Sequence, residues 1–194
     1  MDSARDEGSV REELHTIRRI LIGMLATMWV LELVDFLIGG RLDALGITPR
    51  SVQGLFGILV APLLHGGGGH LISNTFGLVV LGALVLMWGR REFFAVSAAS
   101  VVVGGLGTWL IAAPGTTHIG ASGMIFGYFG YLLARGFYER RVGSLLLTAV
   151  VALCFGGMIG GVVPGLAGPG ISWECHLFGA LGGLLVARRF RKAR

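Results

Sequence analysis

Six long apolar runs, broken by little more than isolated polar side chains, are spaced along the chain near residues 18–38, 70–89, 92–112, 120–138, 143–163 and 171–189. A helix needs about 20 predominantly apolar residues to cross the hydrocarbon core of a bilayer, and each run approaches that length. The pattern predicts an all-α, polytopic membrane protein with six transmembrane helices. A tail at 1–17 would precede a membrane domain at 18–189, and a short basic tail would occupy 190–194. The first link, 39–69, stands apart. Leu55, Phe56, Ile58, Leu59, Val60, Leu63 and Leu64 make it too apolar for a solvated loop, and Pro49 and Pro62 divide it into stretches too short to cross. A long interfacial or re-entrant first loop, packed against the helices, is the expected result.

Charge then orients the bundle. If six spans alternate, fourteen of the sixteen basic residues fall on one side. They are Arg5, Arg11, Arg18 and Arg19; Arg90 and Arg91; Arg135, Arg140 and Arg141; and Arg188, Arg189, Arg191, Lys192 and Arg194. Only Arg41 and Arg50 fall on the other. Positive residues mark the cytoplasmic side, so both termini are expected there. Composition agrees with a membrane protein: 54% of residues are hydrophobic and 14% charged, against about 25% charged in soluble domains. The 34 glycines follow no G-X-Y period, which excludes collagen and fits close helix packing in lipid. The net charge of +5 sits in short clusters without interleaved aromatics, so no nucleic-acid partner is expected. Cys154 and Cys175 both lie in apolar runs and read as small packing residues, not as metal ligands or a disulfide framework. The first apolar run is long and shows no cleavage site, so a cleavable signal peptide is not expected.

Ionisable residues inside a membrane are expensive and are candidates for function. Glu32 and Asp35 late in the first run read as capping or pairing groups near the boundary. His70 and Asn74 open the second run, Ser122 the fourth, and His176 lies five residues into the sixth. On the alternating topology those three runs start on the same, non-cytoplasmic side. At 1.5 Å rise per residue the four side chains come to one layer, within about 10 Å of that face. A neutral histidine is the usual base that activates a serine hydroxyl. Gly123 and Gly127 lie one turn apart beyond Ser122, as do Gly179 and Gly183 beyond His176, so two small-residue faces can bring Ser122 to His176. His70 and Asn74, four apart on one helical face, can donate to an oxyanion. Taken singly, a serine among glycines is ordinarily a packing residue, and a histidine near a helix end is ordinarily interfacial. Glu174, two residues before His176, falls on another helical face and reads as a rim or capping group. Loop polarity accounts for His118, and His15 lies in the polar tail.

Three blocks resemble the rhomboid intramembrane serine proteases. The first runs through Leu55-Phe56-Gly57-Ile58, Pro62-Leu63-Leu64-His65-Gly66 and His70-Leu71 to Asn74. The second is Gly120-Ala121-Ser122-Gly123 with Gly127, similar to the family's G-x-S-G nucleophile motif. The third is His176-Leu177-Phe178-Gly179 with Gly183. They occur in family order, on a similarity running from about Ile20 to Arg189. The resemblance implies a Ser122–His176 dyad without a carboxylate, acting on transmembrane protein substrates that enter sideways from the lipid bilayer. It implies an oxyanion hole made by His70, Asn74 and the Ser122 amide, and His65 holding the first loop by hydrogen bonding. No metal or other cofactor is implied. There are departures. The Trp-Arg pair of many members' first loop is replaced by Gly54-Leu55-Phe56-Gly57, and Phe126 stands where many have Tyr, able to stack on His176 but lacking the hydroxyl. With no large soluble domain and no seventh span in view, the likeness is to the minimal six-helix bacterial form, set in the cell membrane with its active site toward the non-cytoplasmic side. The alternatives are a catalytically inactive rhomboid-like binder of transmembrane helices, a haem- or metal-binding protein using His65, His70 and His176, and, lacking internal repeats, a transporter.

Overall fold

The computed structural model describes residues 2–190, which are helical apart from connecting loops and one isolated backbone bridge. In chain order the helices are α1 (Asp2–Leu37), α2 (Val52–Val60), α3 (Gly68–Leu86, with a π-helical stretch at Leu78–Gly82), α4 (Arg90–Ile111), α5 (Ser122–Glu139), α6 (Val142–Phe155) and α7 (Trp173–Arg189). A 3-10 segment, Gly156–Val162, continues α6. The residues expected to form an N-terminal tail instead extend α1 back to Asp2, and most of the basic C-terminal tail, 191–194, lies outside the described residues.

Among the described residues four helical stretches are long and apolar enough to cross a membrane: Leu14–Leu37, Gly68–Leu86, Arg90–Ile111 and Val142–Val162. Six were expected. The two that differ are α5, with 18 residues, and α7, with 17. Glycines, tyrosines, Arg135 and Glu139 dilute the apolarity of α5, while Glu174 and His176 do the same in α7. The reason is position. α5 and α7 pack against each other, with α4 against α7 and α6 against α5. Protein, not lipid, solvates much of their surface, so their sequences need not be uniformly apolar.

Glycine governs the α5–α7 contact. A Cβ on Gly179 would collide with the Gly123 carbonyl, and one on Gly183 with the Gly127 carbonyl. The backbones touch at two successive turns, as the paired small-residue faces predict. At the cytoplasm-facing end of the expected topology, buried Arg135 donates to the Phe190 carbonyl at 2.8 Å and pairs with Glu139 at 2.7 Å, tying the end of α7 to α5.

The first loop is anchored by a device that the sequence did not reveal. Arg50, in the left-handed region at φ 56°, donates to the carbonyls of Leu110 and Ala112, each at 2.8 Å. The Trp109 indole N–H donates to the Ser51 carbonyl at 2.8 Å. The Ser51 hydroxyl accepts from the Gly54 amide at 2.9 Å and caps α2. Gly54 and Gly57 lie so close to the Thr48 and Gly46 backbones that neither position has room for a side chain. Asp35, buried at the end of α1, accepts from the Leu42 amide at 2.6 Å, which bears out its structural reading.

Gly183→Val should therefore lower stability by at least ~1–3 kcal/mol, the cost typical of overpacking, because backbone cannot yield as a side chain can. Gly23→Ala on α1, where a Cβ meets nothing within 4 Å, should instead stabilise by about 0.5–1 kcal/mol. Thermal unfolding in detergent checks both.

Candidate active site

Ser122 opens α5, and the turn that delivers it needs glycine. Gly120 has φ +114°, and a Cβ there would lie 2.6 Å from His70 Nε2. Its amide donates to the Ala61 carbonyl at 2.8 Å, and two residues earlier His118 exchanges both backbone hydrogen bonds with Ile47, at 2.9 and 3.0 Å. The loop before the serine is thus stitched to the first loop. α5 has no side-chain cap, so its first amides, Ser122 among them, have no partner within the helix and point toward its N-terminal end.

His176 lies one turn into α7. Its Nε2 is 2.8 Å from Ser122 Oγ, and its Nδ1 is 3.1 Å from the Gly161 carbonyl oxygen. Phe126 stacks on the imidazole with ring centroids 4.0 Å apart and an interplanar angle of 11°. The ring is held on one face and at both nitrogens. The structure brings Ser122 and His176 of the fourth and sixth runs within hydrogen-bond distance.

His70 and Asn74 stand together on α3 beside Gly120. The Asn74 amide nitrogen donates to the His70 carbonyl at 3.0 Å, which fixes the side chain and leaves its second proton free. A cavity of about 790 Å³ takes in Ser122, His176, His70, Asn74, Phe126 and Gly120 together. Gly123, Gly127, Gly179 and Gly183 form the α5–α7 contact, with Gly123 also lining the cavity, and Cys175 packs against Gly123, in keeping with a packing role.

His65 departs from what the resemblance implied. It is buried, yet neither ring nitrogen has a hydrogen-bond partner among the described residues. It meets His70 edge-on instead, with centroids 5.1 Å apart and 61° between planes. Burial, reinforced by the neighbouring His70, pushes its pKa from the ordinary 6.5 down to about 4. His65 thus packs as a neutral wedge behind His70.

His118 does more than loop polarity suggests. Its Nδ1 is 2.7 Å from Ser172 Oγ and its Nε2 is 2.8 Å from Thr116 Oγ1. Ser172 caps α7 through the Cys175 amide at 3.4 Å, and Glu174 lies buried in the same first turn, 3.4 Å from that hydroxyl. The loop leading to Ser122 is latched in this way to the helix start that carries His176. Ser172, not Glu174, is the cap; Glu174 accepts from the Ser172 hydroxyl beside it. Burial, partly opposed by Glu174, holds the His118 pKa below its ordinary value. Among the described residues no group of three or more His, Cys, Asp or Glu could hold a metal ion.

A sequence profile of the Rhomboid domain matches residues 52–193. An uncharacterized protein of Mycobacterium tuberculosis (strain ATCC 25618 / H37Rv) is 41% identical over 174 residues, 86% of this chain and 72% of that protein. An uncharacterized protein of Mycobacterium leprae is 39% identical over 174 residues, 86% of this chain and 68% of the relative. A Bacillus subtilis protein provisionally named a rhomboid protease is 33% identical over 132 residues, 66% of this chain and 64% of the relative.

His118→Ala should destabilise the protein by ~1–2 kcal/mol, the worth of one or two hydrogen bonds, seen as a lower melting temperature in detergent. His65 adds a pH dependence. Its folded pKa lies below the unfolded value, so unfolding takes up a proton between the two, and stability should be full above about 6.5 and fall as pH drops toward 4. Melting temperatures across that window should decline in wild type and decline less in His65→Phe.

Proposed function

Because the chain belongs to the rhomboid family, we propose that this integral membrane protein is an intramembrane serine endopeptidase acting through a Ser122–His176 dyad on transmembrane protein substrates. The observation that carries this reading is the 2.8 Å approach of His176 Nε2 to Ser122 Oγ inside a cavity that also holds His70 and Asn74.

In the first step Ser122 Oγ attacks the scissile carbonyl as His176 Nε2 takes its proton. Charge develops on the former carbonyl oxygen, where the Ser122 amide, His70 Nε2–H and the free Asn74 amide proton can converge. Collapse breaks the C–N bond, and His176 returns its proton to the leaving amine. Water, deprotonated by the same histidine, then attacks the acyl-enzyme ester and regenerates Ser122. No carboxylate is required. Phe126 supplies orientation from the ring face, and the buried surroundings strengthen each hydrogen bond.

Substrate would enter from the bilayer between α3 and α6. Phe76 on α3 and Phe155 at the end of α6 stack across that seam with centroids 6.2 Å apart, and both line the cavity. On α6 only Val151 is buried, so this helix is the least firmly held wall. A regular helix hides its scissile carbonyl, and glycine-rich stretches unwind most readily; substrates with such a stretch near the non-cytoplasmic face are favoured. The distribution of basic residues supports six crossings with both termini cytoplasmic, and the bacterial relatives support placement in a bacterial cell membrane. An inactive helix-binding relative would ordinarily have lost Ser122 or His176, and both are present.

The test is cleavage of a helix-destabilised transmembrane substrate by the reconstituted protein. Ser122→Ala and His176→Ala should each reduce kcat by about 10³-fold or more, Asn74→Ala by about 10²-fold, and a chelator should have no effect. A fluorophosphonate probe should label wild type and not Ser122→Ala. Cleavage that survives loss of either dyad member would refute the reading.

A further inference from the structure

Resting on the dyad reading above, we propose that the main-chain carbonyl of Gly161 is a positioning group for the base. It keeps the proton of neutral His176 on Nδ1 only while the 3-10 segment Gly156–Val162 is seated, so that entry through the α3–α6 seam and setting of the base are coupled.

A histidine that accepts a serine proton at Nε2 must carry its own proton on Nδ1, and the tautomer is set by what Nδ1 bonds. In a triad a carboxylate performs this task, and loss of the correct tautomer costs about 10⁴-fold in kcat. Here the partner at Nδ1 is a carbonyl oxygen, 3.1 Å away. A carbonyl oxygen can only accept, so the contact admits only the tautomer with Nδ1–H, which leaves the Nε2 lone pair on Ser122 Oγ. The negative end of the same dipole also faces the imidazolium that forms when the serine proton arrives.

Two further features place this group under conformational control. Gly161 reaches the ring because it has no side chain: a Cβ would stand 2.9 Å from Phe126 Cζ and 3.2 Å from His176 Nδ1. Its segment is also weakly held, since Gly156–Val162 has no buried residue and α6 before it has only Val151. Phe155, just before the segment, and Met158, within it, line the cavity. Any movement of α6 that parts Phe155 from Phe76 to admit a helix pulls on the carbonyl that holds Nδ1. The base would then be correctly protonated with the seam closed and lose its tautomer preference with the seam open, which ties chemistry to reclosure around the substrate.

The experiment weakens the acceptor without adding a side chain. Incorporating the α-hydroxy analogue of valine at 162 turns the Gly161 carbonyl into an ester carbonyl, a poorer acceptor. The same substitution at 163 loosens the segment equally but leaves that carbonyl an amide. ¹⁵N spectra of histidine-labelled protein, with the His176 signals identified by their absence from His176→Ala, should show the proton on Nδ1 in wild type. In the 162 ester the Nδ1 signal should shift or split and kcat should fall about tenfold, the loss expected for one hydrogen bond, with KM unchanged; the 163 ester should resemble wild type. Phe155→Ala, which opens the seam, should also split the Nδ1 signal. A wild-type proton on Nε2, or a 162 ester with unaltered spectrum and kcat, overturns the positioning role, and an unaltered spectrum in Phe155→Ala overturns the coupling. The spectra need no turnover. If wild type neither cleaves substrate nor reacts with fluorophosphonate while the Nδ1–H signal and its ester shift are present, the peptidase reading fails and the positioning role stands.

Discussion

Backbone contact between α5 and α7 is the constraint on which the site depends. In lipid there is no hydrophobic force to press one apolar helix against another, so close packing must do that work. Gly123 meets Gly179 and Gly127 meets Gly183, and these two contacts fix both the separation and the register of the helices. Ser122 immediately precedes the first pair on one helix, and His176 precedes it by one turn on the other. A register error of one turn, about 5.4 Å, would carry the imidazole out of hydrogen-bond range. The glycines are therefore part of the site's geometry although they do no chemistry.

Around that contact, several buried polar groups tie helix ends to the rest of the fold. Asp35 is engaged by the Leu42 amide, Arg135 by Glu139 and the Phe190 carbonyl, and Ser172 by the start of α7. Each settles a helix end whose orphaned amides or carbonyls would otherwise be costly. The groups facing the cavity retain unused capacity: one proton on Asn74, the His70 ring and the first amides of α5. A site that must take up new negative charge needs donors that the folded protein has not already spent.

Much of this was legible in the sequence because it is written in residue type and spacing. Apart from the start of α1, the apolar runs mark the long helices to within a few residues, the glycine pairs mark the central contact, and His70, Asn74, Ser122 and His176 announce themselves as polar groups at one depth. What could not be read has a common cause. Gly161 acts through a carbonyl that every residue possesses, so no letter of the sequence distinguishes it. The Arg50–Leu110, Trp109–Ser51 and His118–Ser172 contacts join positions more than fifty residues apart, which no local period encodes. His65 matched its motif, but its surroundings gave its nitrogens no partner. The apolarity of α5 and α7 was overestimated because a span count treats each helix as if lipid surrounded it.

The separation of 54 positions between Ser122 and His176 has a consequence for the protein's birth. Chains are made from the N-terminus onward, so the serine enters the membrane while its base is still unsynthesised. Until α7 has inserted and its glycines have met those of α5, Ser122 is an ordinary alcohol with no means of losing its proton. On the proposed peptidase reading, the protein thus passes through assembly unarmed among the helices it could cut. On that reading, completion of the fold is itself the act of activation.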